Sequence, residues 1–319
     1  MKITLLNPLE VKEEIILENK EKLEKMGHEF NYYDSLAKDD DETLERLKDI
    51  DIAIITNKPL SEKVINNCNN LKMIDVAFTG VDHVDLEAVK QNGITLLNAS
   101  GYSDDSVAEL VIGLTIAVMR KFNENRENIF KDDTNPLMGE TLKGKKVGVI
   151  GTGNIGIKLI ELLNAFGCEV LAYSRTKKDS VMKMGAKYVD LDTLLKESDV
   201  ISLHIPNNAE TKGFLSKKEL DKMKENAILI NCARGPVVDN NYLSELLNQG
   251  KLRAGIDVFD MEPPLPKDYP LRNAKNVVLT NHVAFYTKEA MEIRADIVFN
   301  NIYEYLDGNI INEIKLWVK

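Results

Sequence analysis

Short apolar, β-branched runs alternate along this chain with longer stretches of helical spacing, and that rhythm sets the fold class before any single residue matters. Strands are predicted at residues 3–6, 29–33, 52–55, 73–77 and 94–97, with helical patterns over 11–26 and 62–69 between them. From Lys145 the rhythm resumes, with strands at 145–150, 169–173, 187–189, 199–203, 227–231, 253–258 and 277–280. Such alternation builds βαβ units on parallel sheets. Residues 106–121 are apolar on more than one face, which predicts a mostly buried helix crossing between the two halves. Residues 122–143 are polar and rich in Asn and Asp, and read as an exposed arm able to clasp a second subunit. A capping box, Ser216-x-x-Glu219, opens one helix. A last helix at 288–306 and a short tail from Ile310 finish the chain.

The stretch around which the rest is arranged is KKVGVIGTGNIG, residues 145–156. A β-branched strand runs into Gly151, Gly153 and Gly156, spaced G-x-G-x-x-G, and a helical pattern follows. The first glycine allows a tight turn and the second lets backbone approach a pyrophosphate. The third lets helix pack closely on strand, while the helix N-terminus offers free N–H groups to phosphates. The flanking strand and helix turn a weak motif into a dinucleotide site.

At 319 residues the chain is long enough for two domains. Its net charge of −10 argues against nucleic acid and anionic membrane partners. The longest apolar run, 110–119, is too short to span a bilayer, and MKITLLNP reads as a first strand and not as a signal peptide. Three scattered cysteines fit a reducing cytoplasm and give no metal framework.

In dinucleotide folds an acidic side chain about twenty residues beyond the glycines holds the ribose 2′-hydroxyl. Here that place holds Ser174, Arg175 and Thr176, with Lys177 and Lys178 behind. Cations and hydroxyls suit a 2′-phosphate, so NADP(H) is favoured over NAD(H). The other reading is a solvated basic loop, with NADH bound without an acidic partner.

Three strand ends carry the candidate chemistry: Asn231-Cys-Ala-Arg234-Gly235, Asp257-Val-Phe-Asp-Met-Glu262-Pro263 and Asn281-His282-Val-Ala-Phe-Tyr-Thr. Keto reduction by hydride needs a proton donor and a cation to polarise the carbonyl. His282 can donate the proton, Glu262 would favour its imidazolium form, and Arg234 can bind a carboxylate and polarise a carbonyl. His204, before Pro206 at a strand end, lines the cofactor. His28 lies in a surface turn, and His83 flanks a glycine loop and is read as a helix cap. That loop, AFTGVDHVD at 77–85, is either an ordinary strand-to-helix turn or an anion cradle made by the N–H groups of Gly80 and Val81.

The sequence resembles the D-isomer-specific 2-hydroxyacid dehydrogenases, which include D-lactate, hydroxypyruvate, glyoxylate and 3-phosphoglycerate enzymes. The resemblance covers nearly the whole chain. It is carried by AFTGVDHVD, GYSDDSVAEL from Gly101, LKGKKVGVIGTGNIG, HIPNNAET from His204, NCARGPVVD, GIDVFDMEP and TNHVAFYT.

The resemblance implies that Arg234, Glu262 and His282 form the catalytic set and that Gly80 and Val81 hold the substrate carboxylate. Asn154, Ile155, Ile205, Pro206, Thr211, Cys232, Ala233 and Asp257 would then contact the cofactor, with Asp257 facing the nicotinamide amide. Phe78, Thr79, Tyr102, Phe285 and Tyr286 would shape the pocket, and the aromatics favour an apolar or modest substrate side chain. The implied fold is α/β, with two doubly wound parallel sheets. Residues 102–284 would form a Rossmann nucleotide domain inserted into a smaller flavodoxin-like substrate domain of residues 1–101 and 285–319. A cytoplasmic homodimer and closure over the substrate are also implied.

Two positions depart from the family pattern: Ser174-Arg175 stands for the usual aspartate, and Asp104 stands where many relatives have Thr. Two alternatives are an NAD(H)-sensing, corepressor-like binding module and a formate dehydrogenase. The second pairs its His with an amide where this chain has Glu262.

Overall fold

The computed structural model describes residues 1–316. The chain divides into two compact units, one running from Met1 to Ser103 and again from Tyr286 onward, the other from Asp104 to Phe285.

The first unit is built on five strands, β1 (Lys2–Leu5), β2 (Glu29–Tyr32), β3 (Ile52–Ile55), β4 (Met73–Val76) and β5 (Thr95–Asn98), ordered β2-β1-β3-β4-β5. All pairs are parallel. Every residue of β3 and β4 is buried, as expected of strands covered by helices on both faces. This is the flavodoxin-like order that the resemblance implies.

A helix at Asp40–Leu47 was not anticipated, because its sequence DDETLERL has little apolar periodicity. Its start is instead held electrostatically. Asp39 accepts from the Glu42 N–H, and three carboxylates occupy the first turn, where the helix dipole favours negative charge. The tail is also more than an end, since Glu313 forms an antiparallel bridge with Leu97 of β5.

The second unit carries seven strands, β6 (Lys146–Ile150), β7 (Glu169–Tyr173), β8 (Lys187–Tyr188), β9 (Val200–Leu203), β10 (Ile228–Asn231), β11 (Arg253–Ile256) and β12 (Val277–Leu279). Their order, β12-β11-β10-β9-β6-β7-β8, reverses direction at β6, which puts the switch point of the sheet where the glycine turn begins. The apolar helix is observed at Asp104–Met119, with buried residues around most of its circumference. The arm beyond it is not wholly irregular: Lys121 turns through φ 52° and a second helix runs from Phe122 to Phe130. The capping box forms only in part. Ser216 Oγ accepts from Lys218 N–H and donates to Glu219 at 2.5 Å, one position short of the reciprocal arrangement.

The glycine turn shows why small residues stand where they do. Gly151 has φ +98°, and a Cβ there would lie 2.3 Å from the His204 carbonyl oxygen. A Cβ on Gly156 would lie 2.1 Å from the Gly151 oxygen, whereas one on Gly153 meets nothing within 4 Å.

A buried polar network ties the first unit together. Asn301 Nδ2 donates to Asp75 Oδ1 at 3.0 Å and to the Asn98 carbonyl at 3.1 Å, and its own oxygen accepts from Asn312. Burial pushes the Asp75 carboxyl up to about 8, so the acid is protonated at neutral pH.

Two expectations follow. Gly156→Ala should lose about 2–4 kcal/mol of stability in denaturant unfolding, while Gly153→Ala stays within about 1 kcal/mol; equal losses would contradict the packing described. The second concerns Asp75. Its folded value lies above the unfolded one, so its contribution is complete below about pH 4 and is lost as pH rises through 8. Asp75→Asn keeps the shape without the titration. Its stability advantage over the parent should therefore widen by on the order of 4 kcal/mol between pH 5 and pH 9; a constant gap would exclude Asp75 as the source.

Candidate active site

In the second unit all seven carboxyl ends face one edge, because neighbouring strands are parallel throughout. Past β6, the helix Asn154–Ala165 starts with Gly153 as N-cap and no side-chain cap. The N–H groups of Asn154, Ile155 and Gly156 thus open onto the space above Gly153, where backbone can be approached. This cradle fits a pyrophosphate. The Asn154 side chain is hydrogen-bonded to Asp104, whose carboxyl is raised by burial and then by Asp105.

On one side of β6, strand β7 ends in Ser174, Arg175 and Thr176. On the other, β9 leads into His204, Ile205 and Pro206. His204 Nε2 lies 2.9 Å from Ser202 Oγ, and burial pushes its imidazole down to about 4, so it is neutral at pH 7. Thr211 closes this loop by donating to the Pro206 carbonyl at 2.6 Å. Sequence reasoning missed Glu210, whose carboxylate meets the Arg175 guanidinium at 2.7 Å. The only signal for it was an acid in a loop after a strand flanking the glycine strand.

The proposed catalytic residues follow three adjacent strands. Beyond β10 the buried Asn231 side chain accepts from the Ala233 N–H and donates to the Arg234 carbonyl, shaping the turn that presents Arg234. Cys232 in this turn is buried, and burial followed by the Asp257 charge raises its thiol well above the ordinary value. Arg234 Nη1 donates to the Ala233 carbonyl at 2.7 Å.

Beyond β11, Asp257 is fully buried, and its carboxylate accepts from Thr280 Oγ1, Val283 N–H and Ala284 N–H at 2.5–2.9 Å. Its backbone carbonyl accepts from the His282 N–H. These bonds hold His282 at φ 54°, a left-handed conformation rare outside glycine. Asp260, held by Asn240 and Tyr269, steadies the loop that carries Glu262. His282 Nδ1 then lies 2.9 Å from both Glu262 oxygens, with the Phe285 ring edge-on at 5.4 Å. With Nδ1 facing the carboxylate, Nε2 is the ring nitrogen turned away from it.

The remaining candidates belong to the first unit. Phe78, Thr79, Gly80 and Val81 follow β4, and Tyr102 follows β5; the Phe78 and Tyr102 rings meet edge-on at 6.0 Å. Asn98 Nδ2 holds the Thr79 carbonyl at 2.7 Å. The helix at Leu86–Gln91 is capped by Asp85 and not by His83, which corrects the reading of that histidine.

Arg294 was also overlooked. Only 1 % exposed, it sits 4.9 Å from the Phe78 ring centre and 5.9 Å from that of Tyr102. Its place on the apolar stripe of Met291, Ala295 and Val298 was the available signal.

Comparison with known proteins identifies the family. Residues 112–284 match the family model for the NAD-binding domain of D-isomer-specific 2-hydroxyacid dehydrogenases. A glyoxylate reductase from Thermococcus litoralis is 39% identical over 280 residues, covering 84% of each chain. A hydroxypyruvate reductase from Blautia hydrogenotrophica is 34% identical over 303 residues, or 92% of this chain and 93% of that one. Among solved structures, an acyclic imino acid reductase in complex with NADPH and D-Arg superposes with a TM-score of 0.89 at 32% identity, over 98% of this chain and 100% of the other. The chain belongs to the D-isomer-specific 2-hydroxyacid dehydrogenases.

Proposed function

We propose that this chain reduces small 2-keto acids to D-2-hydroxy acids. The observation that carries the reading is the His282–Glu262 pair, 2.9 Å apart, two and one strands away from the Arg234 turn on the edge that also bears the dinucleotide cradle. A bound nicotinamide cofactor would supply the hydride. His282 Nε2 donates the proton to the keto oxygen, and Glu262 stabilises the imidazolium until the proton leaves. Arg234 pairs with the substrate carboxylate and polarises the carbonyl. In the first unit, the backbone N–H groups of Gly80 and Val81 would offer donors to a carboxylate, and Phe78, Thr79 and Tyr102 would shape a side-chain pocket. The names of the relatives, glyoxylate and hydroxypyruvate reductases, support a short substrate.

NADP(H) is favoured over NAD(H), since Arg175 and the hydroxyls of Ser174 and Thr176 stand where an acidic residue would select NAD(H). Thr211, Cys232 and Ala233 would lie along the cofactor; Asp257, expected to face the nicotinamide amide, is instead fully buried on its own donors and would act there only by holding the His282 turn. A cytoplasmic homodimer fits the arm, where Ile129, Phe130 and Met138 are all at least 70% exposed.

Steady-state kinetics test each part. His282→Asn should lower kcat for glyoxylate or pyruvate reduction by about 10³-fold. Glu262→Gln should lower kcat at least about tenfold, because His282 Nδ1 exchanges a charged hydrogen-bond partner for a neutral one; an unchanged kcat would separate the two residues. Arg175→Asp should raise the KM for NADPH at least about tenfold more than that for NADH, and equal effects would count against the phosphate reading.

A further inference from the structure

The loop carrying Glu210 is a built feature. Asn208 Oδ1 accepts from the N–H groups of Glu210 and Thr211 at 2.9 and 3.1 Å, and the Asn208 N–H donates to Thr211 Oγ1 at 2.9 Å. With Thr211 Oγ1 bound to Pro206, the turn holds the Glu210 backbone in one place. Arg175 meets it from the other side. Since β7 and β9 flank β6 in the sheet, the Arg175–Glu210 pair spans the approach to the glycine turn from one neighbouring strand end to the other. Both side chains are solvent-facing, 82% and 71% exposed, so the contact itself adds little to stability. Its place matters more than its strength.

We propose that Glu210 is a specificity-determining residue that supplies, from across the sheet, the carboxylate missing at the end of β7, and so sets the balance between NADPH and NADH. The proposal rests on the reading that residues 174–176 receive the adenosine ribose. A ribose with a free 2′-hydroxyl gives Glu210 a donor to accept from while Arg175 stays paired. A 2′-phosphate instead draws Arg175 away and leaves Glu210 as a like charge beside a dianion. Arg175 alone favours NADPH. Glu210 opposes it and keeps NADH usable.

Equilibrium titration of NADPH and NADH, followed by nicotinamide fluorescence, tests this in the parent, Glu210→Gln, Arg175→Ala and the double variant. Glu210→Gln should tighten NADPH about three- to tenfold and leave NADH unchanged or weaker, the size of one charge contact near a protein surface. In the double variant the NADPH gain from Glu210→Gln should shrink to less than about half on a logarithmic scale, because the two side chains act as a pair. An NADPH-to-NADH affinity ratio that Glu210→Gln leaves within about twofold, or moves towards NADH, overturns the role of Glu210. A ratio that Arg175→Ala leaves unchanged overturns the ribose placement itself, whatever Glu210 does.

Discussion

A parallel sheet sends every strand's carboxyl end to the same edge, and this constraint decides where the chemistry of the chain can stand. In the second unit seven strands obey it, so a phosphate cradle, an arginine turn and a histidine loop share one rim although they are separated by up to 130 or so residues of sequence. Within that rim the most consequential single group is Asp257. A desolvated carboxylate with three donors converging on it is a strong, directional anchor. It fixes the backbone at His282, and the imidazole then turns its Nδ1 to Glu262 and its ring to Phe285.

Much of this was legible in the sequence, for identifiable reasons. Strands buried on both faces appear as β-branched runs, and β3, β9 and β10 were placed within a residue because burial demands the same residue types along their whole length. The glycine turn was legible because its packing tolerates no Cβ at positions 151 and 156. The Asp40–Leu47 helix escaped because its start depends on an N-cap and carboxylate charge and not on an apolar stripe. Glu210 and Arg294 escaped for a different reason. Their partners lie 35 residues away in one case, and in the other on an aromatic pair more than 190 positions upstream, separations that no local pattern encodes.

The two charged residues found only in three dimensions also show how differently a protein treats charge. Arg175 and Glu210 stand in water, where their attraction is weak but their orientation can respond to a ligand. Arg294 is enclosed by aromatic rings, donates to the Leu9 carbonyl, and has its guanidinium lowered chiefly by burial. A cation so enclosed is held by many contacts at once. It tolerates replacement poorly even where it performs no chemistry.

The bridge between Glu313 and Leu97 has a consequence for the behaviour of the protein in a crowded solution. An outer strand of an open sheet presents unpaired N–H and C=O groups that can recruit a strand from another molecule. On β5 two of those groups are met by residues 312–314, with Ile314 N–H on the Leu96 carbonyl and Asn98 N–H on the Asn312 carbonyl. Residues 312–314 therefore work as a selvedge, occupying two of the backbone groups through which that border of the sheet would otherwise recruit another strand.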